Sequence, residues 1–329
     1  MKGLPVIGAL GAGRMGRGIA QVFAYAGHDV HLIDAKQRSP AARSKLEFEA
    51  LAEIDSTLAM LSGLGAFDDA QRPHIMRRIH FADRAEADAA LRACDVVFEG
   101  VPEVLDAKRE ALAFACEHMR EDAILASTTS TILVTHLAGL ATHSERFLNA
   151  HWLNPAYIVP LVELSPHPGT NAAVLSHLKM LLEAIGKVPV VCAPAPGFIV
   201  PRLQALVMAE AARMIEDGVA TAEDIDKATR YGFGFRFAAI GVVEFIDYGG
   251  NDILYYACRH LARELGERYH APAIVDRLMQ EGHVGLKTKR GFYDYAQVDI
   301  PAYRRDVISR ALGLLRHHGL LVPPGGSNL

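Results

Sequence analysis

The sequence predicts an α/β chain: a doubly wound, mostly parallel sheet with an inserted helical hairpin, followed by an all-helical C-terminal domain. Three observations predict it. Residues 6–34, VIGALGAGRMGRGIAQVFAYAGHDVHLID, read as strand, glycine-rich turn, helix and strand. Short apolar runs then alternate with helical segments as far as Cys192. At residues 193–197, APAPG, the composition changes, and beyond it the chain reads almost wholly helical. The expected organisation is an α/β domain over 1–193, a linker over 194–198 and a helical domain over 199–329.

The first unit carries the most information. Residues 6–10 form an apolar run suited to a buried parallel strand. Gly11, Gly13 and Gly16 follow at G-x-G-x-x-G spacing, with Arg14 and Met15 between the second and third. Ile19, Val22, Phe23 and Ala26 recur at helical spacing, Gly27 ends the helix, and DVHLID is the second strand. Only this context gives the glycines a dinucleotide meaning. In a Rossmann-type unit Gly11 allows the sharp turn, Gly13 lets the backbone approach a pyrophosphate, and Gly16 lets helix and strand pack closely. The free N–H groups and positive dipole end of the helix face the phosphates. Asp34 stands where a carboxylate accepts both ribose hydroxyls, which favours NAD over NADP. Lys36 and Arg38 lie just beyond it, solvated or available to a 2′-phosphate.

Residues 40–78 do not repeat this pattern. Leu51, Ile54, Leu58 and Leu61 mark one helical face, SGLGAFDD turns the chain, and a second short helix leads to Arg78. Strand-like runs resume at RIHFAD, DVVFEGV, AILAS, FLNAHWLN, IVPLVEL and VPVVC, for about eight strands in all. After the linker, Leu203, Leu206, Val207 and Met214 form an apolar stripe up to Gly218. Thr221 and Asp224 make a start signal for the next helix. The tail VPPGGSNL is expected to fray.

The formal net charge of -4, from 34 basic and 38 acidic residues, provides no general basic field for nucleic acid or an anionic membrane. No apolar run reaches the length of a bilayer span, and the N-terminus lacks the order of a signal peptide. Cys94, Cys116, Cys192 and Cys258 contain no C-x-x-C pair and read as reduced core residues of a cytoplasmic protein. No metal-ligating spacing is expected.

A nicotinamide accepts only a hydride, so oxidation of an alcohol also needs a base for the hydroxyl proton. Among the fifteen histidines His151 stands out, in NAHWLNPAYIVPLVEL. It ends a predicted strand of the nucleotide domain, where ligands of open α/β sheets collect. Glu163 lies in the next apolar run, where a carboxylate is costly unless paired. A hydrogen bond donated to Glu163 would fix the tautomer of His151 and leave the other ring nitrogen free as the base. An ordinary buried His–Glu contact is the alternative reading.

HWLNPAYIVPLVE resembles the catalytic segment of the L-3-hydroxyacyl-CoA dehydrogenase family. The likeness extends to STTS at Ser127–Ser130, to PGFIVPRL after the linker, to GLKTKRGFYDY near Tyr295, and to the hairpin after the second strand. The resemblance implies NAD as cofactor, His151 as general base and Glu163 as its orienting partner. It implies that Ser130 and Asn154 bind the substrate oxygen that becomes the ketone. It also implies that Val101, Pro102, Glu103 and Lys108 lie near the nicotinamide end, although Glu103 and Lys108 could equally form a surface helix pair. A small-molecule substrate and a homodimer built on the helical domain are implied as well. One departure is Pro201, where the family usually has asparagine; it removes a side-chain amide that would face the active site.

Two features bear on the substrate. The hairpin tip has no lysine, where a CoA-binding member would offer a cation to the nucleotide phosphates. Arg236, within GFGFRFAAIG, can receive a carboxylate, or can form a structural ion pair with Glu244 or Asp247. PLVELSPHP and FRFAAIG resemble the gulonate dehydrogenase and lambda-crystallin branch, and more loosely carnitine dehydrogenase, whose members act on free 3-hydroxy acids. The expected substrate is therefore a short acyl-CoA such as 3-hydroxybutyryl-CoA, or a free 3-hydroxy acid. A crystallin-like protein that holds NAD without turnover is the reading from another class.

Overall fold

The structure, a computed structural model, describes residues 3–322 and 324. The chain divides into two compact units, Met1–Met208 and Ala209–Leu329.

In the first unit the elements follow in the order β1 (Ile7–Leu10), α1 (Arg14–Tyr25), β2 (Val30–Ile33), α2 (Pro40–Gly63), α3 (Arg72–Met76), β3 (Ile79–Ala82), α4 (Ala87–Ala93) and β4 (Val96–Glu99). They continue with α5 (Leu105–His118), β5 (Ile124–Ser127), α6 (Val134–Ala138), β6 (Phe147–Trp152), β7 (Leu161–Pro166), α7 (Ala172–Ala184) and β8 (Val188–Val191), and α8 (Val200–Glu216) begins in this unit and ends in the second. The eight strands form one sheet in the order β3-β2-β1-β4-β5-β6-β7-β8. All pairs are parallel except β6 with β7. The strand order reverses direction between β1 and β4, the switch point where ligands of such sheets bind.

The doubly wound arrangement explains the apolar runs. Successive strand residues face opposite sides, and helices cover both. Val96 and Phe98 of β4 join one buried cluster, with Ile19 and Phe23 of α1; Val97 joins the other, with Leu112 of α5. Phe23, Phe98 and Trp152 meet at ring distances of 5.5–6.0 Å, which fixes α1 against β4 and β6. The hairpin helix α2 starts where Ser39 accepts a hydrogen bond from the Ala42 amide and Pro40 takes the first turn.

The second unit is helical: α9 (Ala222–Ala228), α10 (Phe235–Ala239), α11 (Val242–Gly249), α12 (Asn251–Leu265), α13 (Ala273–Gln280) and α14 (Ile300–His317). Thr221 caps α9 by accepting from the Asp224 amide at 3.2 Å, as the sequence predicts. Within this unit Asp247 is fully buried and accepts the amides of Phe292 and Tyr293 at 3.0 and 2.9 Å.

The apolar stripe lies on α8 as the spacing predicts, with Leu203 47% and Leu206 67% exposed; helical periodicity reveals an apolar face but not what covers it. One expectation needs correction. Of the cysteines only Cys94 is buried; Cys116, Cys192 and Cys258 are half-buried, and all four are free. The tail expected to fray spans residues 322–329 and lies mostly outside the described residues.

Candidate active site

The dinucleotide loop has the geometry its glycines require. Gly11 has φ +111°, open to glycine but not to ordinary side chains, and a Cβ there would stand 3.0 Å from Gly100 backbone atoms. A Cβ on Gly16 would stand 1.9 Å from the Gly11 carbonyl oxygen, so α1 could not start so close to β1. Above Gly13 there is open space, with no atom within 4 Å of the position a Cβ would take.

That space is part of a cavity of about 580 Å³ at the C-terminal ends of β1, β2, β4 and β5. Gly11 and Gly13 line it from the loop, Arg14 and Met15 from the start of α1, and Asp34 from the end of β2. Val101, Pro102 and Glu103 follow β4, Lys108 comes from α5, Ser130 follows β5 and Asn154 follows β6. Asp34 is buried, and both its oxygens are engaged by the Arg38 guanidinium.

Lys108 and Glu103 are not a surface helix pair. Lys108 is buried, with Nζ 3.0 Å from Glu99 Oε1 and 3.6 Å from Glu103 Oε2. Glu99 also accepts the Val101 amide and the Ser127 hydroxyl, each at 2.7 Å. Glu103 Oε1 accepts the amides of Ser130 and Thr131 at 3.1 and 2.9 Å, and the hydroxyls of Thr129 and Thr131. Burial alone would raise the Glu103 carboxyl, but the hydrogen bonds from Thr129 and Thr131 and the charge of Lys108 hold it below the usual range. The network ties the turn after β5, which carries Ser130, to the loop after β4.

His151 and Glu163 do not line the cavity. They are direct cross-strand partners in the antiparallel pair β6–β7, and both are buried. His151 Nδ1 lies 2.8 Å from Glu163 Oε2. The amides of Ile199 and Val200 each donate to Glu163 Oε1 at 2.8 Å, so the carboxylate also caps the start of α8. Phe198 stacks on His151, with ring centroids 5.1 Å apart and planes 12° apart. Pro201 stands in the first turn of α8, where a proline is structurally acceptable.

Sequence reasoning missed Glu99, Phe198 and Lys187. Lys187 is buried, and its ammonium donates to the carbonyls of Ala156 and Val159 at 2.5 and 2.9 Å, pinning the loop that carries Asn154. Burial lowers its pKa. Glu99 had a readable signal, since it ends an apolar strand much as Glu163 interrupts one. Lys187 and Phe198 had none. In the second unit Arg236 is exposed on α10, 5.6 Å over the Phe245 ring, and makes no ion pair with Glu244 or Asp247. Among the described residues no group of three or more His, Cys, Asp or Glu could hold a metal.

Comparison with known proteins gives a consistent result. The 3-hydroxyacyl-CoA dehydrogenase NAD-binding domain matches residues 6–195, and the C-terminal domain of the same family matches residues 197–295. A 3-hydroxybutyryl-CoA dehydrogenase of Clostridioides difficile is 30% identical over 290 residues, covering 88% of this chain and 99% of the relative. A solved 3-hydroxyacyl-CoA dehydrogenase of Archaeoglobus fulgidus superposes with TM-score 0.74 at 30% identity, over 96% of this chain and 100% of the other. The solved 5-formyl-3-hydroxy-2-methylpyridine 4-carboxylic acid 5-dehydrogenase, an NAD⁺-dependent dismutase, gives TM-score 0.68 at 26% identity, over 96% and 99%.

Proposed function

The chain belongs to the 3-hydroxyacyl-CoA dehydrogenase family, and on that premise we propose that it oxidises the 3-hydroxyl of an L-3-hydroxyacyl substrate to the 3-oxo product with His151 as general base. It is an NAD-dependent dehydrogenase. The chain's own loop fits that cofactor: the space above Gly13 and the turn at Gly11 form a cradle that any Cβ would narrow. Bound NAD supplies the acceptor for the hydride leaving C3 of the substrate.

The observation that carries the proposal is the His151–Glu163 contact. The two amides on Oε1 can only donate, so Oε1 accepts both, and Oε2 is left for His151. With Nδ1–H donating to Oε2, Nε2 keeps its lone pair and takes the substrate's hydroxyl proton. Asn154, three residues on, and Ser130, held by Glu103, line the cavity and serve as hydrogen-bond partners for the reacting oxygen. Arg14, Met15, Asp34, Val101 and Pro102 serve the dinucleotide around the same cavity.

The charge pattern of the hairpin supports a free 3-hydroxy acid. Residues 40–78 hold five basic and six acidic residues. Arg43 pairs with Glu47, Asp83 and Glu86, Lys45 with Glu49, Arg72 with Asp55 and Asp69, and Arg78 with Asp29. Arg17, on the wall of an adjoining cavity of about 280 Å³, is engaged by Glu53. Nucleotide phosphates of a CoA carrier would have to compete with these carboxylates. The 3-hydroxybutyryl-CoA dehydrogenase relative supports a short acyl-CoA instead. We take the assembly to be a homodimer, a reading supported by exposed apolar residues such as Leu206 and Met208 on α8 and Ile253 and Tyr256 on α12. No described helix is long and apolar enough to cross a membrane.

The test is NADH formation with L-3-hydroxybutyryl-CoA set against a panel of free L-3-hydroxy acids. Turnover of one class is expected. NAD binding with no oxidation of any member would overturn the proposal in favour of a crystallin-like NAD-binding protein.

A further inference from the structure

One hydrogen bond to Glu163 sets a nitrogen of His151 in place but leaves the ring free to swing about that bond. Phe198 removes this freedom. Its ring lies nearly flat against the imidazole, 12° between planes at a centroid distance of 5.1 Å, and only 6% of the residue is exposed. The next two residues, Ile199 and Val200, give their amides to Glu163 Oε1 at 2.8 Å each. Three consecutive residues therefore hold both members of the pair: a ring on the histidine, two N–H groups on the carboxylate.

The backbone shows that this placement is imposed. Gly197 has φ +76° and Phe198 has φ +44°, two successive residues in left-handed territory. Glycine enters that region freely. A bulky side chain there is uncommon and strained, and such strain persists only where the surroundings over-determine it. Relaxing Phe198 to an ordinary φ would turn its ring away from His151 or the following amides away from Glu163. The sequence keeps phenylalanine where glycine would fit the backbone, so the side chain itself is what the strain retains.

We propose that Phe198 is a positioning residue for His151, fixing the plane of the imidazole so that its free nitrogen faces the substrate hydroxyl. This rests on the reading of His151 as the general base.

The test compares Phe198→Gly, Phe198→Leu and Phe198→Tyr with His151→Ala, measuring kcat, KM for NAD and thermal midpoint for each. Phe198→Gly relieves the backbone while deleting the ring. It should lower the thermal midpoint, because a buried ring is lost and the relieved backbone offsets only part of that, and lose roughly ten- to a hundredfold in kcat, the scale of a misplaced reacting group, with KM for NAD unchanged. Phe198→Leu keeps apolar volume without a flat face and should also lose kcat; Phe198→Tyr keeps the face and should restore most of it. Were Phe198 merely structural, kcat would follow stability across the variants, and Phe198→Leu, which keeps apolar volume, would restore kcat as well as Phe198→Tyr does. Wild-type kcat in both Phe198→Gly and Phe198→Leu, with His151→Ala inactive, would overturn the role of Phe198 alone. Turnover surviving in His151→Ala would overturn the base and Phe198 with it.

Discussion

Lys108 and Glu99 form a buried ion pair, Nζ to Oε1 at 3.0 Å, with side chains 1% and 0% exposed. Removing one partner strands the other charge away from water. Lys108→Met should cost about 3–5 kcal/mol of stability, whereas a Lys108→Met/Glu99→Gln double change, which removes the stranded charge but keeps an oxygen for the Val101 amide, should recover much of it. Denaturant titration of the two variants checks this. A small loss in the single variant would show that the ammonium is not holding the two loops together and would point to a role toward the nicotinamide alone.

Glu163 can be neutralised without changing its shape. In Glu163→Gln the amides of Ile199 and Val200 still require an oxygen, so the new NH₂ group faces His151 Nδ1. That group donates, which forces Nδ1 to accept and puts the ring proton on Nε2. The base is then blocked, and kcat should fall by about a hundredfold or more while NAD binding is unchanged. Steady-state kinetics and cofactor titration read the two effects separately.

Cofactor choice at the end of β2 involves two residues. Arg38 occupies both oxygens of Asp34, the acceptors a ribose would use. Arg38→Ala should tighten NAD and sharpen its preference over NADP. Asp34→Ala should do the reverse and shift the preference toward NADP by about tenfold, or ~1.4 kcal/mol, because Arg38 is freed for a 2′-phosphate. Ratios of kcat/KM for the two cofactors decide the point.

The turn carrying Ser130 should respond to acid through Glu103. Its folded pKa is held below the ordinary glutamate value, so the unfolded chain binds the proton first as pH falls. The carboxylate's stabilising contribution is therefore present above that value and is lost as pH drops through the folded pKa. Glu103→Gln keeps an acceptor but does not titrate. The gap in thermal midpoint between wild type and this variant should be widest near neutrality and should narrow as pH falls through the carboxylate range. A gap that is constant with pH would refute the linkage.

Among the described residues of its own unit Arg236 has no carboxylate partner. Asp247 is taken up by the amides of Phe292 and Tyr293, and Glu244 by the Gly241 amide and the Tyr303 hydroxyl. Arg236→Met should therefore shift stability by no more than about 0.5 kcal/mol, as surface changes do. If a free hydroxy acid is the substrate and Arg236 receives its carboxylate, KM should rise strongly and kcat should fall through lost positioning. An unchanged KM for every free acid would remove Arg236 from substrate binding.

Much of this architecture is legible in the sequence because local signals agree with the fold. The strand runs, the G-x-G-x-x-G turn and the Thr221 cap each declare themselves within a few residues. The His151–Glu163 pair is legible for a different reason, since an acid in an apolar strand needs a partner and the neighbouring strand offers one. Contacts set by tertiary placement are not legible. Nothing local to Phe198 announces a left-handed backbone, and nothing near Lys187 tells which carbonyls will surround it. The stripe on α8 shows the limit from the other side, because periodicity exposes an apolar face without saying what lies against it.

On the proposed reading of His151 as the base, the antiparallel join of β6 and β7 separates chemistry from selectivity. His151 and Glu163 face each other through a ladder that β5 and β8 also brace from outside. Residues 153–160, which connect the two strands, do not set that register. Insertions, deletions and substitutions there would reshape the surroundings of Asn154 while the two reacting partners stay opposite one another. On that reading, substitutions in this connection would alter which hydroxy compound is accepted while the His151–Glu163 pair stays intact.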